Sequence, residues 1–184
     1  MDDFLLMLKM KQGNEDAFEK FVRKYYSQIL QYCRYHCFDM EYAEDLTQET
    51  FLKFFGSLQS YRHMGKTKNY LYTIAGNLCK NVAKKKKEMP VEQDVLEQEI
   101  GFSDMMERTE TKIYIERAMD ELSPEFREII ILFYFQECKL TEIADILQIN
   151  LPLVKYRLRR AKDELKQLLG KEENNGVGER TSDV

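Results

Sequence analysis

The sequence LTEIADILQINLPLVKYRLRRA, residues 140–161, contains the pattern that most constrains the fold. Its first part predicts a short helix that turns Ile143, Ala144 and Leu147 inward, and residues 148–150 predict a turn. A second helix follows, with a proline in its first turn. The apolar residues of this helix fall on one stripe at helical spacing: Val154, Leu158, Ala161, Leu165 and Leu168. Two helices joined by a brief turn predict a helix-turn-helix.

The second of these helices has one strongly basic side. Residues 151–162 contain five basic residues and no acid. The apolar stripe leaves four side chains facing solvent and Arg157 at the flank; the four are Lys155, Tyr156, Arg159 and Arg160. A cationic helix fits a major groove about 12 Å wide, where arginines pair with guanine edges and other cations neutralise phosphates. The alternative is an amphipathic helix with a merely solvated basic face, but the bracing helix before it and the absence of acids favour DNA binding.

Amphipathic periodicity also predicts helices in the first half of the chain. Apolar residues recur at helical intervals over residues 16–37 and 42–58, and again from Asn69 into a cluster of five lysines at 80–87. Residues 59–68 are polar and contain a glycine, which predicts a loop. With only 8 Gly and 3 Pro, the 184-residue chain favours long helices over a turn-rich β-sandwich.

The fold class expected from these patterns is all-α, with two small helical domains joined by a flexible acidic linker. The first domain is expected at residues 1–87, and the linker, at 88–111, has eight acids against one arginine. The second domain, with the helix-turn-helix, is expected at 112–170, and its Ser123-Pro124-Glu125 sequence predicts a helix start. Residues 171–184 are expected to form a disordered tail.

Aromatic, amide and ammonium groups are interleaved in the first domain. Rings of this kind can stack on exposed or extruded bases while cations follow the phosphate backbone. The alternative, that the tyrosines are core and the lysines only solubilise, stays open from composition alone. The residues concerned are Tyr61, Tyr70, Tyr72, Lys66, Lys68, Asn77, Lys80 and Asn81.

Signals for an enzyme, a cofactor or a metal are weak. The chain has no Gly-rich phosphate loop, no His-Glu-x-x-His helix and no evident nucleophile–base arrangement. Cys33, His36 and Cys37 fall within about one helical turn but lack a second pair at zinc-site spacing, so we expect buried structural thiols and no metal site. A metal or thiol redox sensor that uses these residues and Cys79 is one alternative function. A conventional helix-turn-helix regulator with a ligand-binding or dimerisation domain is another.

Membrane insertion and secretion are not indicated. The longest apolar run, Ile129 to Phe135, is seven residues, far short of a membrane span. A secretory signal has a basic segment followed by an apolar one, whereas this chain begins with Met1-Asp2-Asp3. We therefore expect a cytoplasmic protein without direct membrane insertion.

Several segments, in order and at matching distances, resemble the extracytoplasmic-function (ECF, group IV) RNA polymerase sigma factors of bacteria. They are AEDLTQETF at 43–51, YLYTIAGN at 70–77, EIA at 142–144 and VKYRLRRA at 154–161, and the resemblance runs from about Asn14 to Leu169. It implies a non-enzymatic factor that binds core RNA polymerase and directs promoter-specific transcription initiation, as in stress responses. It also implies regulation by an anti-sigma factor.

The resemblance further implies which residues bind which partner. The helix that would dock on core RNA polymerase, with Phe51 as its anchor, carries Asp45, Leu46, Gln48, Glu49 and Phe51. Opening and reading of the −10 promoter element would fall to Tyr61, Lys66, Tyr70, Asn77, Lys80 and Asn81. The −35 element would be read by Lys155, Tyr156, Arg157, Arg159 and Arg160. The acidic linker would run toward the RNA exit path of the polymerase.

Four positions depart from the family pattern, and one of them is Leu153, where Thr is common. Tyr70 stands where the family usually has Trp, which keeps an aromatic ring but loses area. Gln148 stands where Gly is common, at the turn between the two helices, and Tyr156 replaces a usual Ser. The last change indicates an altered −35 preference.

Overall fold

The fold is all-α, as expected. The computed structural model describes residues 2–37, 39–62, 64–88 and 110–178. Within those ranges the chain forms helices and no strand. The helices belong to two compact units, each with its own core.

In the described part of the first unit there are four helices, whose bounds are α1 Asp3–Lys11, α2 Glu15–Arg34, α3 Met40–Gly56 and α4 Thr67–Glu88. The three predicted helices are present within a few residues of their expected ends. Helix α1 was not predicted individually, although its buried residues Leu6, Met7 and Met10 follow a helical spacing.

Helix α2 begins at a conventional cap. The side chain of Asn14 accepts a hydrogen bond from the backbone N–H of Ala17 at 2.9 Å, which satisfies one of the free donors of the first turn. Gly13, with φ of +80°, turns the chain between α1 and α2.

Aromatic rings fill the core of the first unit. Phe21 of α2 stacks on Phe54 of α3 with ring centroids 4.9 Å apart, and Tyr32 of α2 lies 5.2 Å from Tyr72 of α4. All four side chains are fully buried. Because each pair joins two helices, these rings hold α2, α3 and α4 together and give their outward faces defined directions.

The second unit contains α5 Glu110–Glu121, α6 Pro124–Ile130, a π-helical turn Ile131–Phe135, α7 Leu140–Leu147 and α8 Leu151–Gly178. The predicted helix start at Ser123 is confirmed, because its side chain accepts from the Phe126 N–H and Pro124 occupies the first turn. The apolar segment 129–132 is buried and lies at the centre of this core.

Two sequence expectations concern the ends of the units. The acidic linker lies almost wholly in residues 89–109, outside the described residues, and stays a prediction. The disordered tail expected from residue 171 needs correction, because α8 continues to Gly178. The strong helix formers Lys171, Glu172 and Glu173 favour continuation of α8 beyond residue 170. Residues 179–184 lie outside the described part of the chain.

Candidate nucleic-acid and protein interfaces

Helix α8 presents a basic face opposite a buried stripe. Val154, Leu158 and Ala161 are buried against the rest of the second unit. Lys155, Arg159 and Arg160 are exposed, and so is Tyr156, with half of its surface accessible. These four exposed side chains are four of the five expected to read the −35 element, so the face is available to a groove.

Arg157 differs from the other basic residues of α8. Its guanidinium forms an ion pair with the Glu125 carboxylate of α6 at 2.7 Å, and its side chain is only 20% exposed. The sequence placed Arg157 at the flank and the structure agrees, but the tie to α6 was not foreseen. A residue held in this way braces α8 against α6, and contact with DNA would have to compete with Glu125.

The turn before α8 sets the orientation of the basic face. Gln148 adopts a left-handed conformation (φ 55°, ψ 40°) at the end of α7. Asn150 then caps α8, because its side-chain oxygen accepts from the Leu153 N–H at 2.8 Å. At the other end of α7, the Glu142 carboxylate accepts from the Lys139 N–H at 2.7 Å. Local hydrogen bonds thus hold the start of α7 and the start of α8.

The α3 residues expected to bind polymerase divide into two groups. Asp45, Gln48 and Glu49 are exposed. Leu46 and Phe51 are each only 4% exposed and pack in the core, which corrects the expectation that Phe51 anchors a partner directly. The physical reason is helical spacing, since both residues fall on the buried stripe that includes Phe54.

One apolar residue of α3 was missed. Leu52 is 69% exposed, on the same helix as the exposed acid and amide groups. Its position one residue off the buried stripe is the signal that would have identified it. An exposed leucine beside polar side chains is the type of residue that a partner can bury.

The exposed side of α4 carries three of the residues expected to bind the −10 element. Asn77, Lys80 and Asn81 are exposed and are spaced three and four residues apart, so they share one face. The opposite side packs Leu71, Tyr72 and Ala75 into the core. The amides and the ammonium group are therefore presented outward together.

The tyrosines of the expected −10 site are packed on each other. The ring of Tyr61, in the loop before α4, stacks on that of Tyr70 with centroids 5.1 Å apart and planes 19° apart. Tyr61 also meets the edge of Phe54, at 5.4 Å. Burial is the main reason that the pKa of Tyr61 is raised. Lys66, in the same loop, is exposed. The two rings are half-buried and stabilise the loop in addition to any contact with bases.

Three of the four cysteines lie together. Hydrogen bonding to the Cys33 thiol, then to the Cys37 thiol, and then burial raise the pKa of Cys79. A thiol that stays protonated is a poor nucleophile, so Cys79 is not an activated thiol. Among the residues that the structure describes, no group of three or more His, Cys, Asp or Glu side chains is arranged to hold a metal ion.

None of the helices in the described part of the chain combines the length and apolar character needed to cross a bilayer.

Comparison with known families gives two matches along the chain. Residues 21–88 match the family model for Sigma-70 region 2, and residues 112–165 match that for Sigma-70, region 4. The first match covers α3, α4 and most of α2. The second covers the helix-turn-helix and the basic face of α8.

Curated proteins similar to the chain are RNA polymerase sigma factors. RNA polymerase sigma factor YlaC of Bacillus subtilis (strain 168) is 30% identical over 167 residues, which are 86% of this chain and 95% of that protein. ECF RNA polymerase sigma factor SigM of the same organism is 32% identical over 144 residues, 77% of this chain and 85% of that protein. ECF RNA polymerase sigma factor SigW, also from this organism, is 29% identical over 174 residues, which are 88% of this chain and 93% of that protein.

Solved structures share the fold at lower identity. CnrH in complex with the cytosolic domain of CnrY gives a TM-score of 0.68 at 20% identity, covering 91% of this chain and 96% of the other. The sigma factor RpoE of Bartonella quintana, in complex with the anti-sigma factor NepR, gives a TM-score of 0.64 at 22% identity. This match covers 83% of this chain and 96% of the other.

Proposed function

The chain belongs to the ECF RNA polymerase sigma factors, and we propose which of its faces bind core RNA polymerase and which bind promoter DNA. As a sigma factor it directs promoter-specific transcription initiation and is not an enzyme. The observation that carries the assignment of faces is the exposed, acid-free basic side of α8, opposite the stripe of Val154, Leu158 and Ala161.

Core RNA polymerase binds α3 in this proposal. The exposed Asp45, Gln48 and Glu49 supply charge and hydrogen bonds, and Leu52 supplies the apolar contact. Leu46 and Phe51 act from the core by holding α3 in place. Acids and amides suit a basic partner surface, and a central leucine that becomes buried adds affinity.

The −10 element binds the loop before α4 and the exposed face of α4. Asn77, Lys80 and Asn81 contact the separated strand, and the Lys66 ammonium binds the phosphates of that strand. Tyr61 and Tyr70 serve this site as a stacked pair that supports the loop and offers its free ring edges to a base.

The −35 element binds α8. Arg159 and Arg160 are suited to guanine edges or phosphates, Lys155 to phosphates, and Tyr156 to an apolar contact in the groove. Arg157 contributes mainly through its ion pair with Glu125. The two DNA sites lie in different units, and a promoter that carries both the −10 and the −35 element binds both sites.

Two further proposals follow from membership of the family. An anti-sigma factor binds the chain and competes with the polymerase, as the relatives crystallised with such partners suggest. The protein acts in the cytoplasm, where core RNA polymerase is found.

In-vitro transcription tests the function directly. Core polymerase is incubated with a genomic fragment library, with and without the purified chain, and new transcript starts are mapped. We expect starts that depend on the chain and share upstream elements at −35 and −10. Failure to associate with core polymerase at near-physiological salt would contradict the proposal, and tight duplex binding without polymerase would favour the conventional regulator.

A further inference from the structure

We infer that Lys11, the last residue of α1, is a positioning residue that holds the first part of the loop before α4, residues 57–62, in the conformation used for strand opening. The inference rests on the proposed function, because it concerns the loop assigned to the −10 element. It assigns a role to a helix outside the two segments matched by the family models.

The contact joins parts of the chain about fifty residues apart. The Lys11 ammonium donates a hydrogen bond to the backbone carbonyl of Tyr61 at 2.8 Å and a longer one to that of Gln59 at 3.4 Å. The Gln59 side-chain amide donates back to the Lys11 carbonyl at 3.4 Å. Because the bond to Tyr61 is partly buried and its donor is charged, it is stronger than an ordinary exposed hydrogen bond.

Helix α1 is itself anchored, so Lys11 has a defined position. Near the start of α1, the Asp3 carboxylate accepts from the Tyr25 hydroxyl and from the Lys24 ammonium of α2, both at 2.5 Å. Leu6 and Met10 are buried along the length of α1. The helix therefore holds the loop at one end and α2 at the other.

The Lys11 bond fixes the backbone of the loop at Tyr61. Tyr61 is the residue whose carbonyl Lys11 binds, and its ring stacks on Tyr70 at the start of α4. Arg62 and Lys66 follow it and are exposed. A loop that is already ordered loses less conformational freedom when it captures a base, so more of the contact energy goes into strand opening.

The test compares Lys11→Met with two other variants of the full chain. Lys9→Met removes the same charge from the same helix two residues earlier and is the matched control. Lys11→Arg keeps a charged donor in reach of the carbonyls and serves as the rescue. Each is assembled with core polymerase, and permanganate reactivity of promoter thymines measures strand opening on a duplex and on a template with a pre-opened −10 region.

We expect Lys11→Met to reduce opening of the duplex promoter roughly tenfold, the scale of one lost charge-assisted hydrogen bond. Binding to core polymerase should stay unchanged, and the pre-opened template should restore activity. Lys9→Met and Lys11→Arg should open the duplex like the wild type. Equal opening by Lys11→Met and Lys9→Met would overturn the inference, as would a defect that persists on the pre-opened template.

Hydrogen exchange of the free protein provides a readout that does not depend on polymerase. The Tyr61 amide donates to the Ser57 carbonyl at 2.9 Å and should exchange faster in Lys11→Met, with α2 and α4 unaffected. Unchanged exchange at Tyr61 overturns the positioning role even if the variant is less stable. If the wild type itself opens no promoter with core polymerase, the proposed function fails, and exchange still decides whether Lys11 orders the loop.

Discussion

Gly76 of α4 lies against the hydroxyl of Tyr32 of α2, so closely that a Cβ at position 76 would be 2.8 Å from that oxygen. Tyr32 is fully buried, and its rigid ring is packed against Tyr72 and His36, so it has little room to move. The glycine in the YLYTIAGN segment is therefore required by the packing of α4 on α2.

Gly76→Ala should destabilise the first unit. Alanine favours the helix by about 1 kcal/mol, but the overpacking against Tyr32 costs about 1–3 kcal/mol, so we expect a net loss of up to about 2 kcal/mol. Thermal unfolding measures the change. Gly56→Ala is the matched control, because nothing lies within 4 Å of a Cβ at that position. A Gly76→Ala protein as stable as the Gly56→Ala protein would show that Tyr32 moves aside at no cost.

Gln148→Gly should stabilise the second unit by about 0.5 kcal/mol, because a left-handed backbone is strained for any residue with a Cβ. The substitution also removes the hydrogen bond from the Gln148 amide to the Asp145 carbonyl, which offsets part of the gain. Gln148→Ala loses that bond but keeps the strain, so it should be less stable than the wild type. Chemical denaturation ranks the three proteins, and a glycine variant that is no more stable than the alanine variant would argue against backbone strain.

The stability of the first unit should fall in alkaline solution. Burial, followed by the hydrogen bond to Asp3, raises the pKa of Tyr25. Because the folded pKa lies above the unfolded value of about 10, the stabilisation is complete below pH 10 and is lost as the pH rises further. Tyr25→Phe removes this titration and should show a shallower decline above pH 10, while being less stable near neutrality. Urea unfolding across pH 8–11 tests this, and parallel curves for the two proteins would contradict it.

Asp45→Arg should weaken binding to core polymerase about a hundredfold or more, since close charge pairs across interfaces couple by about 1.5–7 kcal/mol. Asp45 is exposed, so the fold should be retained, as circular dichroism can verify. Asp163→Arg makes the same change at an exposed site of the second unit and should leave core binding intact. Undiminished binding by Asp45→Arg would remove α3 from the polymerase interface.

Arg160→Ala should weaken promoter binding by the holoenzyme by about 1–3 kcal/mol, with a change in salt dependence if its partner is a phosphate. Lys166→Ala, which removes an equal charge further along α8, should have little effect. Arg157→Ala should act differently, by lowering the melting temperature through loss of the Glu125 ion pair. Footprints over the −35 element that are identical for wild type and Arg160→Ala would refute the assigned role.

Local patterns predicted most of the helices because each depends on nearby residues. The Ser123-Pro124 start was confirmed by a cap, and three residues of the predicted stripe, Val154, Leu158 and Ala161, are buried. The other two, Leu165 and Leu168, are half-buried because they lie further along α8. The exposed side of α8 follows from that stripe by helical geometry. For the same reason, Leu46 and Phe51 lie in the core of the first unit, since their spacing places them on the apolar stripe of α3.

The amino-acid sequence by itself determined the all-α class, the helix-turn-helix and the basic face of α8, since periodicity, capping and charge are properties of short segments. Only the tertiary structure decided that Lys11 binds the Tyr61 carbonyl, that Arg157 pairs with Glu125 and that Tyr61 stacks on Tyr70. These contacts join residues from 9 to about 50 positions apart in different elements. Which side chains meet across such gaps depends on how the helices pack, and packing is set by the whole core rather than by any local pattern.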